Sequence, residues 1–272
     1  MELIHPMTTM SAGSTSNPPN IHQPILRLDN ISVRFQQTPA LNNVSFALQR
    51  GERVAVIGPN GAGKSTLFNI ISGLISPTQG QVEMCGRAPN KQVGIAYVPQ
   101  RSRVDWQFPV TVNDVVMMGR VGRLGLFRWP KQKDRHIVEE ALALVNMTDL
   151  AKRQIGELSG GQQQRVFIAR ALAQEAELML MDEPLTGLDL KSQEGIFAIL
   201  DKLRQRQVTI MVATHDLNVA AERFDRLLLL NQQVIGFGRA KEVFTTSMLS
   251  RTYQGSLNLI ETPNGAMVMS SN

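Results

Sequence analysis

The chain has 272 residues, of which 43% are hydrophobic and 19% are charged, so it can bury the core of one large domain or of two lobes. A single cysteine, Cys85, excludes a disulfide within the chain and suits a reducing compartment. No stretch approaches the ~18 consecutive apolar residues that span a bilayer, so we expect any membrane role to depend on a partner. Residues 1–24 lack the basic start and apolar core of a secretion signal and are predicted to form a flexible N-terminal tail.

The net charge of +5 lies in one segment. Between Gln100 and Arg135 there are eight basic and three acidic side chains, so the rest of the chain is balanced. Four explanations stay open from the charge alone: a solvated loop region, an acidic partner, the anionic cytoplasmic face of a membrane, or nucleic acid.

The first elements along the chain read as antiparallel strands. Apolar residues alternate over 26–28 and again over 31–35, and the shift in phase between the two predicts a break or bulge. Alternation returns over 44–48. These segments predict an antiparallel β layer.

Four later runs are short and almost wholly apolar, which is typical of strands buried on both faces of a parallel sheet. Helix-like patterns separate the runs, which cover residues 53–58, 93–98, 178–182 and 208–213. We therefore predict an α/β core with a mostly parallel sheet and helices on both faces.

The regular alternation of strand and helix stops after Gln100. Apolar residues recur there at helical spacing, which predicts an α-helical subdomain over about 101–172, inserted into a core domain of residues 25–240. Two further strands are predicted near 226–231 and 233–238. Residues 241–272 give no strong signal and are treated as a C-terminal extension.

The sequence GPNGAGKST fits the pattern G-x-x-x-x-G-K-[ST] between a predicted strand and a predicted helix. In such a loop, backbone N–H groups turn toward phosphates, the lysine reaches the β and γ oxygens, and the serine ligates Mg²⁺. The candidate nucleotide-binding residues are Gly58, Pro59, Asn60, Gly61, Ala62, Gly63, Lys64, Ser65 and Thr66.

Two adjacent carboxylates end the apolar run LMLMDEP. A carboxylate at the end of a buried strand needs a charged partner, and Asp182 beside the phosphate loop would find Mg²⁺ there. The next residue, Glu183, can orient and deprotonate an attacking water, so we assign it as the general base.

A second candidate anion site is LSGGQ, at the start of a predicted helix. Its candidate binding residues are Ser159, Gly160, Gly161 and Gln162. The sequence thus places two anion-binding features in one chain.

Taken together, the motifs resemble the ATP-binding cassette (ABC) ATPases. The phosphate loop, Gln100 after a strand, LSGGQ, LMLMDEP, LTGLD and VATHD occur in that family's order over about residues 25–238. The resemblance implies that Phe35 stacks on adenine, that Gln100 senses Mg²⁺ and the attacking water, and that His215 contacts the γ-phosphate. It also implies that Asp189 couples two sites, that ATP and Mg²⁺ are bound, and that Ser65, Gln100 and Asp182 surround the Mg²⁺.

The resemblance also implies partners. In ABC ATPases the signature LSGGQ of one subunit faces the phosphate loop of the other, which predicts a homodimer with ATP at the interface. We expect integral membrane permease subunits as further partners and a location on the cytoplasmic face of the inner membrane.

The segment 101–120 and the following VGRLGLFRWP resemble the ATPase subunits of bacterial manganese, zinc or iron importers, which work with an extracytoplasmic metal-binding protein. Trp106 and Phe108 are candidate permease contacts, or alternatively core residues of the helical subdomain. A siderophore, haem or cobalamin is the alternative transported substrate. A soluble ABC ATPase acting on nucleic acid is the alternative class, although no nucleic-acid partner is expected.

Overall fold

The computed structural model describes residues 23–86, 94–106, 108–124, 129–254, 258–262 and 265–269. The predicted N-terminal tail over residues 1–24 therefore lies outside the described residues except for its last two positions.

The described strands are, in chain order, β1 (Leu26–Phe35), β2 (Thr38–Leu48), β3 (Arg53–Ile57), β4 (Gln79–Met84), β5 (Ile95–Val98), β6 (Leu178–Asp182), β7 (Thr209–Thr214), β8 (Arg226–Asn231), β9 (Gln233–Gly238), β10 (Asn258–Thr262) and β11 (Gly265–Met269). The helices are α1 (Lys64–Ile71), α2 (Val112–Met118), α3 (Val121–Leu124), α4 (Gln132–Leu144), α5 (Gly160–Ala173), α6 (Leu190–Gln205), α7 (Leu217–Arg223), α8 (Ala240–Val243) and α9 (Thr246–Tyr253). Single turns of 3-10 helix cover Arg101–Arg103, Thr148–Leu150 and Ile155–Glu157.

An antiparallel sheet forms one layer, with the strand order β2-β1-β4. The pairing of β1 with β2 shifts register between Leu28 and Ile31, which confirms the predicted bulge. The sequence reading did not identify β4, because only Val82 and Met84 of this strand are buried and two apolar residues form too short a pattern.

The central sheet has six strands in the order β5-β6-β7-β3-β8-β9, and only β9 pairs antiparallel. Side chains of β3 alternate between two apolar clusters: Val54 and Val56 face the antiparallel layer and α1, while Ala55 and Ile57 face the opposite side. Burial on both faces explains why these strands are almost wholly apolar, and it confirms the predicted α/β core.

Helices α2 to α5 occupy the segment that was predicted to be a helical insertion. Buried residues of α2, α4 and α5, such as Val115, Val138 and Val166, belong to the cluster that also covers one face of the central sheet. Helix α5 packs against both α2 and β5, so it connects the helical region to the sheet.

Residues 241–272 carry no strong sequence signal, yet the structure places α9 and the hairpin β10–β11 there. Helix α9 buries Leu249 and Thr252, and Asn231 Nδ2 donates a hydrogen bond of 2.9 Å to Thr252 O. Two buried positions in an eight-residue helix are too few to show a periodic pattern.

Among the residues with described positions, none of the helices is long and apolar enough to cross a membrane.

Candidate active site

The candidate residues gather at one edge of the central sheet. Strands β5, β6, β7 and β3 are parallel neighbours in that order, so the residues after their carboxyl ends lie side by side. Gln100 follows β5, Glu183 follows β6, His215 follows β7, and the phosphate loop from Gly58 follows β3. The topology therefore assembles motifs that are far apart in the sequence.

The phosphate loop requires glycine where it enters α1. Gly63, the N-cap of that helix, has φ +93°, and a Cβ there would lie 2.6 Å from Ala40 O on β2. Only glycine adopts this backbone and tolerates this approach at low cost. The antiparallel layer thus packs directly against the loop, whose N–H groups precede a helix N-terminus, a suitable setting for an anion.

Lys64 is buried within the same loop, with 7% of its surface exposed. Its Nζ donates hydrogen bonds of 2.6 Å to Gly58 O and 3.0 Å to Pro59 O. Burial lowers the pKa of Lys64, while the carboxylates of Glu183 and Asp182 act in the opposite direction. The ammonium is held by neutral carbonyl oxygens, so a phosphate would supply a direct anionic partner.

Ser65 and Asp182 form a hydrogen-bonded pair. Ser65 Oγ lies 2.7 Å from Asp182 Oδ2, and Tyr97 Oη on β5 lies 3.3 Å from the same oxygen. Asp182 is only 3% exposed. A hydroxyl and a carboxylate oxygen are hard ligands of the kind that Mg²⁺ prefers, so this pair fits the predicted Mg²⁺ of Mg-ATP.

Glu183 is held in a constrained position. Its backbone has φ 49°, in the left-handed region that residues other than glycine seldom adopt, and its N–H donates a hydrogen bond of 3.0 Å to Ala213 O. Oε2 of the side chain accepts hydrogen bonds from Gln100 Nε2 at 3.0 Å and Thr186 Oγ1 at 3.4 Å. Unfavourable backbone conformations persist where neighbours fix them, and they cluster at active sites.

Glu183 also borders a cleft of about 350 Å³. The residues that line this cleft are Gln100, Arg101, Ser102, Val104, Trp106, Glu183 and Thr186. The carboxylate is therefore accessible from the side of the segment that follows Gln100.

The signature LSGGQ begins helix α5, as predicted. Ser159 is the N-cap, its Oγ accepts from Gln162 N, and Gln162 Oε1 accepts from Ser159 N at 3.0 Å. This reciprocal capping box leaves the N–H groups of Gly160 and Gly161 at the open end of the helix. N–H groups at a helix start, together with the helix dipole, favour an anion, although Gly161 itself is buried in this chain.

Three other predicted residues lie at the positions that the motifs indicated. Phe35 ends β1 and is 50% exposed, and His215 is exposed after β7. Asp189 is the N-cap of α6 and accepts hydrogen bonds from Ser192 N at 2.9 Å and Ser192 Oγ at 2.8 Å. These bonds from Ser192 lower the pKa of the Asp189 carboxyl.

Sequence reasoning missed two residues of the site, Tyr97 and Thr186. Tyr97 lies within an apolar strand run that was interpreted only as buried sheet. A tyrosine in such a run signals a hydroxyl that needs a partner, and here Asp182 is one of its partners. Thr186 gave no signal, because its contact with Glu183 depends on the turn after β6.

Part of the basic segment is used inside the protein. Arg120 is only 4% exposed and donates hydrogen bonds to Asp134 Oδ1 at 3.1 Å, Ala173 O at 2.7 Å and Glu175 Oε2 at 2.7 Å. This arginine therefore joins the start of α4 to the end of α5. A solvated loop, one of the four open explanations of the basic segment, therefore does not account for the charge of Arg120.

Trp106 and Phe108, which the sequence treated as a pair, differ in the structure. The Trp106 ring packs against Phe167 of α5 with centroids 5.2 Å apart, whereas Phe108 is 59% exposed. Trp106 is thus partly buried against the core, as the core alternative expects, and it also lines the cleft beside Glu183, whereas Phe108 is largely exposed. Within the described part of the chain, no group of three or more His, Cys, Asp or Glu residues could hold a metal ion.

The sequence matches the family model described as ABC transporter over residues 41–186. It is 47% identical to the manganese transport system ATP-binding protein MntB of Halalkalibacterium halodurans over 249 residues, covering 90% of this chain and 98% of that protein. It is 45% identical to the zinc transport system ATP-binding protein TroB of Treponema pallidum, covering 88% of this chain and 91% of that protein.

Solved structures agree with this similarity. The fold resembles a chain of an inward-facing ABC transporter assigned to the metal-chelate type, with a TM-score of 0.76, 31% identity and coverage of 90% of this chain and 96% of that one. A bacterial ABC transporter cassette solved as a dimer is also similar, with a TM-score of 0.69, 31% identity and coverage of 79% and 98%.

Proposed function

We propose, since this chain belongs to the ABC transporter family of ATPases, that it hydrolyses ATP to drive the import of a transition-metal ion through a separate membrane permease. The observation that carries the ATPase assignment is the site at one sheet edge, where Lys64, the Ser65–Asp182 pair and the Gln100–Glu183 pair come together. Such a set supplies a phosphate cradle, a metal site and a base in one place.

In this proposal Glu183 accepts a proton from the water that attacks the γ-phosphate. Gln100 holds the carboxylate through its 3.0 Å hydrogen bond and thereby fixes the direction in which the base points. Lys64 leaves its carbonyl partners to bind the β and γ oxygens, and His215 contacts the γ-phosphate. Phe35 stacks on adenine, for which its exposed ring face is suited.

Ser65 and Asp182, with Gln100 nearby, would hold the Mg²⁺ of Mg-ATP. When bound, this ion neutralises charge on the phosphate oxygens. Tyr97 then positions Asp182 through its hydroxyl, because a hydrogen bond to a metal-binding carboxylate fixes the orientation of that ligand.

The second anion site is assigned to another copy of the chain. One protomer would present Ser159–Gln162 to the γ-phosphate on its partner's phosphate loop, so each active site is shared by two chains. The similar cassette that was solved as a dimer supports this arrangement. A mixed dimer of a Lys64→Ala chain and a Ser159→Arg chain then contains one intact site, because the intact Lys64 faces the intact Ser159.

The permease is assigned to the surface around Phe108, on the segment that follows Gln100. The protein would be held at the cytoplasmic face of the membrane by this contact. Arg120 of the basic segment makes its hydrogen bonds inside the protein, to groups of α4 and at the end of α5. This weakens the interpretation of the segment as a nucleic-acid binding surface.

The names of the relatives favour a free metal ion, with manganese first, as the transported substrate. One relative of Yersinia pestis, 44% identical, is named for chelated iron transport, so a chelate is the second candidate cargo. Neither cargo would contact this chain directly, because an extracytoplasmic binding protein would deliver it to the permease.

The test is transport by the complete system. We would reconstitute the chain with the permease and the metal-binding protein of the same organism in liposomes and measure ATP-dependent uptake of radioactive Mn²⁺, Zn²⁺ and Fe²⁺. Competition among these ions, without competition from a ferric siderophore, would support the proposal. Uptake of the ferric siderophore alone would establish the chelate, and failure of the chain to associate with the permease would overturn the transport role.

A further inference from the structure

Arginine side chains from the segment after Gln100 hold both ends of α5, the helix that begins with the signature. At its carboxyl end, Arg123 Nε and Nη2 donate to Gln174 O and Glu175 O, each at 3.1 Å. At its amino end the corresponding residue is Arg101, which directly follows Gln100 in the sequence.

The contacts of Arg101 with α5 are specific. Its Nε and Nη2 donate hydrogen bonds of 3.0 Å and 2.8 Å to Gln163 Oε1, and Gln163 is only 4% exposed. The Gln163 amide nitrogen in turn donates to Ile155 O at 3.2 Å. Gly160 lies so close to the guanidinium that a Cβ there would come within 2.8 Å of Arg101 Nη1.

The backbone of Arg101 has a hydrogen bond of its own, while its guanidinium also lies over the Trp106 ring, 5.8 Å from the centroid. Trp106 Nε1 donates a hydrogen bond of 3.0 Å to Arg101 O, and the Trp106 ring packs against α5 through Phe167. Loss of the Arg101 side chain would remove the guanidinium from the Trp106 ring but leave the backbone hydrogen bond and the packing on Phe167, which hold the path of the segment and so the position of Gln100. It would instead leave a buried Gln163 oxygen without its two donors, which is costly.

We propose that Arg101 is a positioning residue that fixes the start of α5, so that the signature residues of its own chain reach the ATP bound by the partner protomer. This inference rests on the shared sites of the proposed function. It makes a directional claim: replacing Arg101 damages the site to which its chain contributes the signature, and spares the site to which its chain contributes the phosphate loop.

The mixed dimer of Lys64→Ala and Ser159→Arg chains tests the direction, because its one intact site takes the signature from the first chain and the phosphate loop from the second. Arg101→Ala placed on the Lys64→Ala chain should lower the recovered ATPase rate about tenfold or more. The same change on the Ser159→Arg chain should keep the rate within about twofold. Arg123→Ala, placed in turn on each chain, is the matched control at the other end of α5.

The opposite pattern would mean that Arg101 acts through Gln100 of its own chain, and equal losses or no loss would also overturn the proposal. A second measurement does not depend on dimers. In the single chain, Arg101→Ala should speed amide hydrogen exchange over residues 159–164, and Arg123→Ala should not. Unchanged exchange would contradict the proposal. If the Lys64→Ala and Ser159→Arg chains recover no activity even with Arg101 intact, the shared-site dimer of the proposed function fails. The hydrogen-exchange measurement then decides the role of Arg101.

Discussion

Gln100 Nε2 donates a hydrogen bond of 3.0 Å to Glu183 Oε2, although the two residues are 83 positions apart in the sequence. The bond joins the ends of the neighbouring strands β5 and β6. It ties the proposed base to the segment that also carries Arg101, Trp106 and Phe108. A displacement of this segment, such as docking of the proposed permease would cause, would therefore reach the Glu183 carboxylate directly.

The first prediction concerns Glu183→Gln. The amide keeps the shape of the side chain but cannot accept a proton, so the ATPase rate should fall by ~10² or more while ATP affinity is retained. ATP should then hold the variant as a dimer, which size-exclusion chromatography with light scattering would detect. Glu139→Gln, on the exposed face of α4, is the matched control. Turnover near the parent rate would remove Glu183 from the role of base.

The second prediction concerns the two anion sites. Lys64→Ala and Ser159→Arg should each be inactive alone, because each change damages both sites of a homodimer. Mixed together, the folded variants should form an ATP-dependent heterodimer and recover up to about half of the parent rate if one site suffices for turnover. A signature that served its own chain could not be rescued in this way. Persistent inactivity without heterodimer formation would contradict the shared site.

The third prediction separates Phe108 from Trp106. Phe108→Ala should change the free energy of unfolding by less than about 0.5 kcal/mol, since the ring is largely exposed, yet it should abolish co-purification with the permease. Trp106→Ala should cost about 2 to 4 kcal/mol, because it removes the packing against Phe167. Chemical denaturation and pull-down assays would measure the two effects. Normal permease binding by Phe108→Ala would place the docking surface elsewhere.

The fourth prediction concerns Tyr97→Phe, which removes only the hydroxyl that lies 3.3 Å from Asp182 Oδ2. If Tyr97 positions a Mg²⁺ ligand, the Mg²⁺ concentration for half-maximal ATPase should rise about twofold to tenfold. The rate at saturating Mg²⁺ should change less. Tyr253→Phe on α9, the other tyrosine of the chain, is the control. An unchanged Mg²⁺ dependence would contradict a role of Tyr97 in positioning Asp182.

The fifth prediction concerns pH and Glu175. The hydrogen bond from Arg120 lowers the pKa of Glu175 below its ordinary value of 4.5, although partial burial opposes the shift. Because the pKa is lower in the folded state, the interaction stabilises the fold above about pH 4.5, and this contribution disappears as the pH falls through the folded-state pKa. The difference in Tm between the parent and Glu175→Gln should therefore shrink in acid. A difference that is independent of pH would contradict this account.

The sequence by itself determined the α/β core, the phosphate loop, the two carboxylates after LMLM and the signature. Each of these depends on local chemistry: strands buried on both faces must be apolar, as Val54 to Ile57 are, and a loop such as Gly58–Gly63 needs glycine where the backbone is left-handed or crowded. These requirements act on adjacent residues and therefore appear as readable patterns.

Only the tertiary structure decided which side chains meet. Gln100 with Glu183, Arg101 with Gln163, and Tyr97 with Asp182 are each more than 60 positions apart, and the strand order β5-β6-β7-β3 together with the packing of α5 brings them into contact. The same packing gave Trp106 and Phe108 different environments and buried Arg120, whereas the sequence left the exposure of all three residues open. Burial and pairing across the sequence depend on the relative placement of whole elements, which no local pattern encodes.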